Sequence, residues 1–192
     1  DFIRDAEGGY PFVRSMSEIA GNTVVLIAAE YLSNVNSGKG LMLGGVTGVP
    51  PTEVVVLGAG TVGEYAVRAA IGLGSSVKVF DNSLQKLSRI QNDIGTRLYT
   101  STIHPDALAN ALENADVVIG AIRSKRGRAP ILVTEEMVSN MKFGSVIIDV
   151  CIDQGGCIET SEVTTHAHPT FTKYGVVHYC VPNIASRVAQ TA

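Results

Sequence analysis

Gly58-Ala59-Gly60-Thr61-Val62-Gly63 has the spacing of a loop that grips a pyrophosphate, and Asp81 stands where such loops place a carboxylate. Each glycine answers a separate physical need. Gly58 permits a tight strand-to-helix turn, Gly60 leaves the backbone open to close approach by phosphate, and Gly63 lets the next helix lie against the strand. A helix starting here offers unpaired N–H groups and a partial positive charge, so the backbone of Ala59, Thr61 and Val62 joins the glycines as the expected pyrophosphate cradle. A carboxylate at Asp81 accepts hydrogen bonds from adenosine ribose hydroxyls and repels a 2′-phosphate, which favours NAD(H) over NADP(H). The plainer alternative for Asp81 is a cap on the helix that begins near Ser83.

Other reactive side chains lie farther along. In a parallel α/β sheet the ligand sits beyond the carboxyl ends of the strands, and that rule marks residues 58–63, 81, 120–122, 149–156 and 181–183. Asp153 in Asp153-Gln154-Gly155-Gly156 is a candidate on this rule, with Asp149 as a rival and an Asx-type turn as the plainer reading. Cys151, Cys157, His178 and Cys180 lack a CxxC knuckle, so they read as small buried apolar groups and no metal is expected. His166 and His168 fit a surface loop with no acid placed beside them. The four basic residues within 123–128 stand without interleaved aromatics, which indicates a solvated or interfacial loop, not a nucleic-acid site.

Alternating strands and helices must position these groups. Strands are predicted over 53–57, 76–80, 96–100, 116–120 and 145–150, with another near 175–180. Helices are predicted over 61–73, 83–93, 105–113 and 134–141, and a further one after Pro182. Val54-Val55-Val56-Leu57, Val117-Val118-Ile119 and Val146-Ile147-Ile148 are apolar without alternation, as strands buried on both faces require. The fold class is therefore α/β: a Rossmann-type doubly wound parallel sheet with right-handed crossovers and a long N-terminal helix. That helix is expected to begin at Ser15, where Ser15 and Glu18 fit a capping box, after an irregular stretch over 1–13. Its stripe of Ile19, Val24, Ile27, Ala28, Tyr31, Leu32 and Val35 is broad enough for burial on more than one side. Residues 38–48 are glycine-rich but too apolar for a solvated linker, and read as a packed or ligand-facing loop.

A chain of 192 residues with 45% hydrophobic and 17% charged residues suits a globular domain and excludes a disordered one. A net charge of −3 gives no general attraction to nucleic acid or anionic membrane, and no apolar run reaches the roughly 18 residues of a membrane span. Three cysteines without framework spacing point to reduced thiols and a cytoplasmic setting. Both ends read as cut, so the chain is expected to be a piece of a longer protein.

Four blocks carry a family likeness. They are Arg14-Ser15-Met16-Ser17-Glu18-Ile19-Ala20-Gly21, Gly40-Leu41-Met42-Leu43-Gly44-Gly45-Val46-Thr47-Gly48-Val49, Asp149-Val150-Cys151-Ile152-Asp153-Gln154-Gly155-Gly156-Cys157-Ile158-Glu159 and His178-Tyr179-Cys180-Val181-Pro182-Asn183. With the glycine turn, they resemble the nucleotide-binding domain of alanine dehydrogenases and proton-translocating transhydrogenases, and the last two look closer to alanine dehydrogenase. The resemblance implies NAD-dependent, reversible oxidative deamination of L-alanine to pyruvate and ammonium. By position it implies that Ser17, Asp81, Lys86, Ile122, Val150, Asp153 and Asn183 contact the cofactor, and that Asp153 belongs to the catalytic machinery beside the nicotinamide. Read alone, Lys86 is a solvated lysine and Ser17 a cap near a helix start.

In such proteins a second domain, built from sequence on both sides of this one, holds the amino-acid or oxo-acid substrate. Residues 1–14 would then be a linker from that absent domain and 15–192 the NAD(H)-binding domain, truncated at its C-terminus. The family is typically hexameric, which implies a homo-oligomer in the full-length protein. Arg123-Ser124-Lys125-Arg126-Gly127-Arg128 departs from the more apolar, proline-containing loop of the family, implying a change at the cofactor edge or at a subunit contact, and Ile184-Ala185 replaces the Met-Pro of many members, implying altered packing near the nicotinamide. Two other classes stay open: a transhydrogenase domain passing a hydride to a second nucleotide protein, and a non-enzymatic NAD-sensing domain. The 149–156 and 178–183 blocks count against the sensor, which needs no chemistry on the nicotinamide side.

Overall fold

Short β-branched runs with apolar residues on both faces make the frame. In a computed structural model describing residues 3–4, 10–124 and 127–192, they form one seven-stranded sheet in the order β3-β2-β1-β4-β5-β7-β6. The strands are β1 (Glu53–Leu57), β2 (Ser76–Phe80), β3 (Tyr99–Ser101), β4 (Val117–Gly120), β5 (Val146–Asp149), β6 (Thr170–Lys173) and β7 (Val176–Tyr179). Every pairing is parallel except β6 with β7. Val54, Val56, Val117, Ile119, Val146 and Ile148 pack into one core, and Val55, Leu57, Val118 and Ile147 into another on the opposite face. That double burial is why these strands read as continuous apolar runs.

α1 (Pro11–Leu32), α2 (Thr61–Gly72) and α3 (Leu84–Ile94) cover the first face; α4 (Pro105–Glu113) and α5 (Glu135–Ser139) cover the second. α1 begins at Pro11, not Ser15, because proline has its φ preset and lacks only an N–H that a first turn leaves unpaired anyway. Ser15 Oγ donates to the Pro11 carbonyl at 3.1 Å and Glu18 pairs with Arg14 at 3.1 Å, so the expected capping box is absent. Gly21 brings α1 onto α2: a Cβ there would lie 2.5 Å from the Val62 carbonyl oxygen. The apolar stripe is largely buried, but Val35, past the helix end, is 88% exposed.

Two expected elements change, and one strand is new. β3 is three residues long and starts at Tyr99, and the segment after Pro182 forms a short 3-10 turn (Ile184–Val188) instead of an α-helix. β6, unforeseen, makes an antiparallel hairpin with β7 through Tyr174 and Gly175, whose positive φ values of 54° and 72° match a two-residue primed turn. Within the glycine-rich loop, Leu43 and Gly44 are buried and Gly44 N–H donates to Thr52 Oγ1 at 2.8 Å beside the amino end of β1, while Met42 and residues 45–50 are exposed. Of the basic loop 123–128, Lys125 and Arg126 lie outside the described residues, as do residues 1–2 and 5–9 of the stretch expected to be irregular. No helix among the described residues is long and apolar enough to cross a membrane.

The chain runs outward from β1 to β2 and β3, then returns to β4 beside β1 and continues the other way. The carboxyl ends of β1 and β4 therefore splay and open a crevice, the usual ligand position in such sheets.

Candidate functional site

Packing fixes two glycines of the turn, and open space surrounds the third. Gly58 has φ 110°, a conformation that side chains other than glycine rarely adopt, and a Cβ on it would lie 2.5 Å from the Ala121 carbonyl oxygen. A Cβ on Gly63 would lie 1.8 Å from the Gly58 carbonyl oxygen, so α2 could not close onto β1. At Gly60, the N-cap of α2, a Cβ would meet no heavy atom of the described residues within 4 Å. Among those residues no side chain caps α2 either. The helix thus presents uncapped N–H groups to an open concavity, which suits an anion such as pyrophosphate.

Asp81 is buried directly behind this turn. Its Oδ2 accepts from Ala59 N–H at 2.9 Å and its Oδ1 from Ser83 N–H at 2.8 Å, while Lys86 Nζ lies 3.5 Å from Oδ2. Ser83, which accepts from Lys86 N–H at 3.3 Å, is the N-cap of α3, so Asp81 is not. The structure commits Ala59 N–H to Asp81, and Gly58, Ala59 and Gly63 form the frame behind the cavity walls.

Gly60, Asp81, Lys86, Ile122 and Arg123 line a cavity of about 210 Å³ on one side of the turn. A second, of about 230 Å³, is lined by Ser17, Val62, Ile122, Arg123, Val150 and Asp153. It shares Ser17, Val62, Val150 and Asp153 with a broader hollow of about 410 Å³ that reaches Asn183, Ile184 and Ala185. A fourth, of about 250 Å³, lies at the mouth of α2 between Thr61, Ser17, Arg14, Arg89 and Arg123. Together these hollows make one crevice along the switch point. It gathers Ser17, Gly60, Thr61, Val62, Asp81, Lys86, Ile122, Val150, Asp153 and Asn183.

Two aspartates compete at the end of β5, and burial separates them. Asp149 is fully buried and accepts from Cys151 N–H at 3.0 Å, Cys157 N–H at 3.0 Å and Ser161 Oγ–H at 2.7 Å. Burial pushes its carboxyl pKa up, although these donors pull it back. Asp149 therefore staples the loop after β5 and forms the Asx-type turn into a 3-10 turn (Val150–Gln154). Asp153 lies exposed on the far side of that turn, with Oδ2 accepting from Asn183 N–H at 3.3 Å. Asn183 sits in the left-handed region at φ 51°. Ser17 lies well inside α1, its Oγ donating to the Val13 carbonyl at 2.7 Å, so it is not a cap.

The three cysteines are free and buried. Ligand atoms of Asp149, Cys151 and Cys157 lie within 4.8 Å of one another, a grouping their spacing did not reveal, and Asp149 already spends its oxygens on the loop's donors. Burial pushes the Cys180 thiol up to about 11. The ring nitrogens of His178 bond Thr160 Oγ1 at 2.8 Å and the Val176 carbonyl at 3.0 Å, away from the cysteines. His166 and His168 are exposed. Sequence reasoning missed Phe12, Val13 and Met16, which a helix starting at Pro11 brings to the crevice; Arg123, in the loop expected at the cofactor edge or a subunit contact, also lines it. Pro11 at a helix start was the available signal for the first three.

Sheet order, glycine turn and crevice together define a dinucleotide-binding α/β domain. Residues 24–192 match the family described as alanine dehydrogenase/PNT, C-terminal domain, and the chain belongs to that family. Membership implies a nicotinamide nucleotide as the cofactor. An alanine dehydrogenase of Halomonas elongata is 46% identical over 190 residues, which cover 99% of this chain and 51% of that protein. A solved L-alanine dehydrogenase superposes with TM-score 0.92 at 41% identity, covering 98% of this chain and 52% of the other. A transhydrogenase from Sinorhizobium meliloti superposes with TM-score 0.77 at 27% identity, covering 93% and 50%. The chain spans about half the length of the curated relatives it matches.

Proposed function

We propose that this chain is the NAD(H)-binding half of an alanine dehydrogenase-like oxidoreductase that interconverts L-alanine with pyruvate and ammonium. The observation that carries this reading is the crevice itself: an uncapped helix start at Gly60, Asp81 to one side, and Asp153 with Asn183 to the other. Greater likeness to alanine dehydrogenases than to the transhydrogenase favours an amino acid over a second nucleotide as hydride partner.

The bound nucleotide supplies the hydride donor and acceptor. This chain's residues bind it, orient it and keep water away. The open first turn of α2 faces the pyrophosphate, and Asp81 holds the adenosine ribose. That carboxylate, anchored by two backbone N–H groups, disfavours a 2′-phosphate and so selects NAD(H) over NADP(H). Lys86, at the rim beside Asp81, adds a contact on the adenosine side. Ser17, Val62, Ile122 and Val150 wall the nicotinamide side. Asp153 presents its carboxylate at the exposed rim, where a substrate held by a second domain would meet the cofactor. Substrate positioning and proton transfer then come from residues beyond 1–192.

The test is an assay of the longer protein carrying this chain. L-Alanine should drive NAD⁺ reduction, and pyruvate with ammonium should drive NADH oxidation. Hydride exchange between NAD(H) and NADP(H), without response to L-alanine, would replace this reading with the transhydrogenase one.

A further inference from the structure

We propose that Arg123 is a binding residue for the cofactor's pyrophosphate, a role that rests on the cofactor reading above. Arg123 alone of the described residues lines both the cavity beside Asp81 and the cavity at the mouth of α2, and it also borders the cavity of Val150 and Asp153. It therefore stands where the two halves of a dinucleotide join. Backbone bonds on either side of it hold its neighbours: Ala121 N–H donates to the Leu57 carbonyl at 2.7 Å, and Ser124 N–H to Gln154 Oε1 at 3.0 Å.

The cations around it are already committed. Arg14 pairs with Glu18 at 3.1 Å, Lys86 lies 3.5 Å from Asp81, and Arg89 pairs with Glu64 at 3.3 Å while donating to the Ala59 carbonyl at 3.0 Å. Among the described residues no carboxylate lies within ion-pair distance of Arg123. The acids lining the same cavities are engaged as well: Asp81 by Ala59, Ser83 and Lys86, Glu64 by Arg68 and Arg89, and Asp153 by Asn183 N–H. A helix start contributes only about half an elementary charge, whereas a pyrophosphate brings two negative charges. A guanidinium adds a full charge and a planar fork of donors that matches phosphate oxygens.

The test compares Arg123→Leu and Arg123→Lys with the unaltered chain, each shown to be folded by thermal melting. NADH is titrated by fluorescence at several salt concentrations, and ADP-ribose and adenosine compete for the site. Arg123→Leu should weaken NADH and ADP-ribose about tenfold, leave adenosine unchanged and flatten the salt dependence. Arg123→Lys should restore the salt dependence and part of the affinity. Unchanged NADH and ADP-ribose affinity in Arg123→Leu would overturn the assignment, as would an equal loss for adenosine, which marks a collapsed loop. If the folded, unaltered chain binds no NADH, the cofactor reading falls and this role with it; binding that Arg123→Leu leaves intact removes only the role.

Discussion

Asp81 holds two backbone N–H groups at once, Ala59 at 2.9 Å and Ser83 at 2.8 Å, and so ties the glycine turn to the start of α3 while lining the cavity it shares with Gly60 and Lys86. Its removal should show in both roles. In Asp81→Ala, NADH affinity should fall about tenfold or more and unfolding free energy by about 1–3 kcal/mol, because a buried N–H is left unpaired. Asp81→Asn, which keeps a carbonyl acceptor, should lose less stability. NADH titration and urea unfolding read the two effects, and unchanged affinity in Asp81→Ala would remove the ribose role. Spacing from the glycines located this residue, since strand and helix lengths fix that distance. It could not reveal the bond to Ala59, which depends on how the turn folds back. Nor could it separate Asp149 from Asp153, because one ends β5 and the other follows it by four residues, and only the 3-10 turn after the strand buries one and exposes the other.

At the scale of elements, the turn between β1 and α2 separates packing from binding. Gly63→Ala sets a methyl 1.8 Å from the Gly58 carbonyl oxygen, so it should cost about 1–3 kcal/mol of stability. Gly60→Ala meets open protein space and should cost less than about 1 kcal/mol, yet crowd a bound phosphate and weaken NADH. Urea unfolding and NADH titration of the two variants should give opposite rankings; equal effects in both would contradict this division. β7 carries a second test. Burial pulls the His178 pKa below its ordinary value, although the bond to the Val176 carbonyl opposes this. As pH falls through about 6.5 the unfolded chain takes up this proton first, so stability present above that pH is lost toward the lower folded pKa. Urea midpoints should drop between pH 7.5 and 5.5 more in the unaltered chain than in His178→Gln; an equal drop would show that His178 is not the titrating group.

Across the whole molecule, the alternation of apolar runs with amphipathic segments was enough to place the central strands and to give the parallel, doubly wound class. Strands buried on both faces leave an unbroken apolar signature, as Val54 to Leu57 do. The edges were harder to see. β3 and β6 contribute few buried side chains: Tyr99 is half exposed and Thr172 is exposed, and their pattern blends into loop. The start of α1 was misplaced because Ser15 and Glu18 imitate a capping box that the helix, already under way from Pro11, does not use. Asp81, Arg123 and Asn183 line one crevice at the switch point, proposed above as the cofactor site. A titration of NADH into the chain, followed by nucleotide fluorescence with NADPH in parallel, tests this most directly. Saturable binding of NADH with markedly weaker NADPH is the expected result. A folded chain that binds neither nucleotide, or binds both equally, would contradict the account.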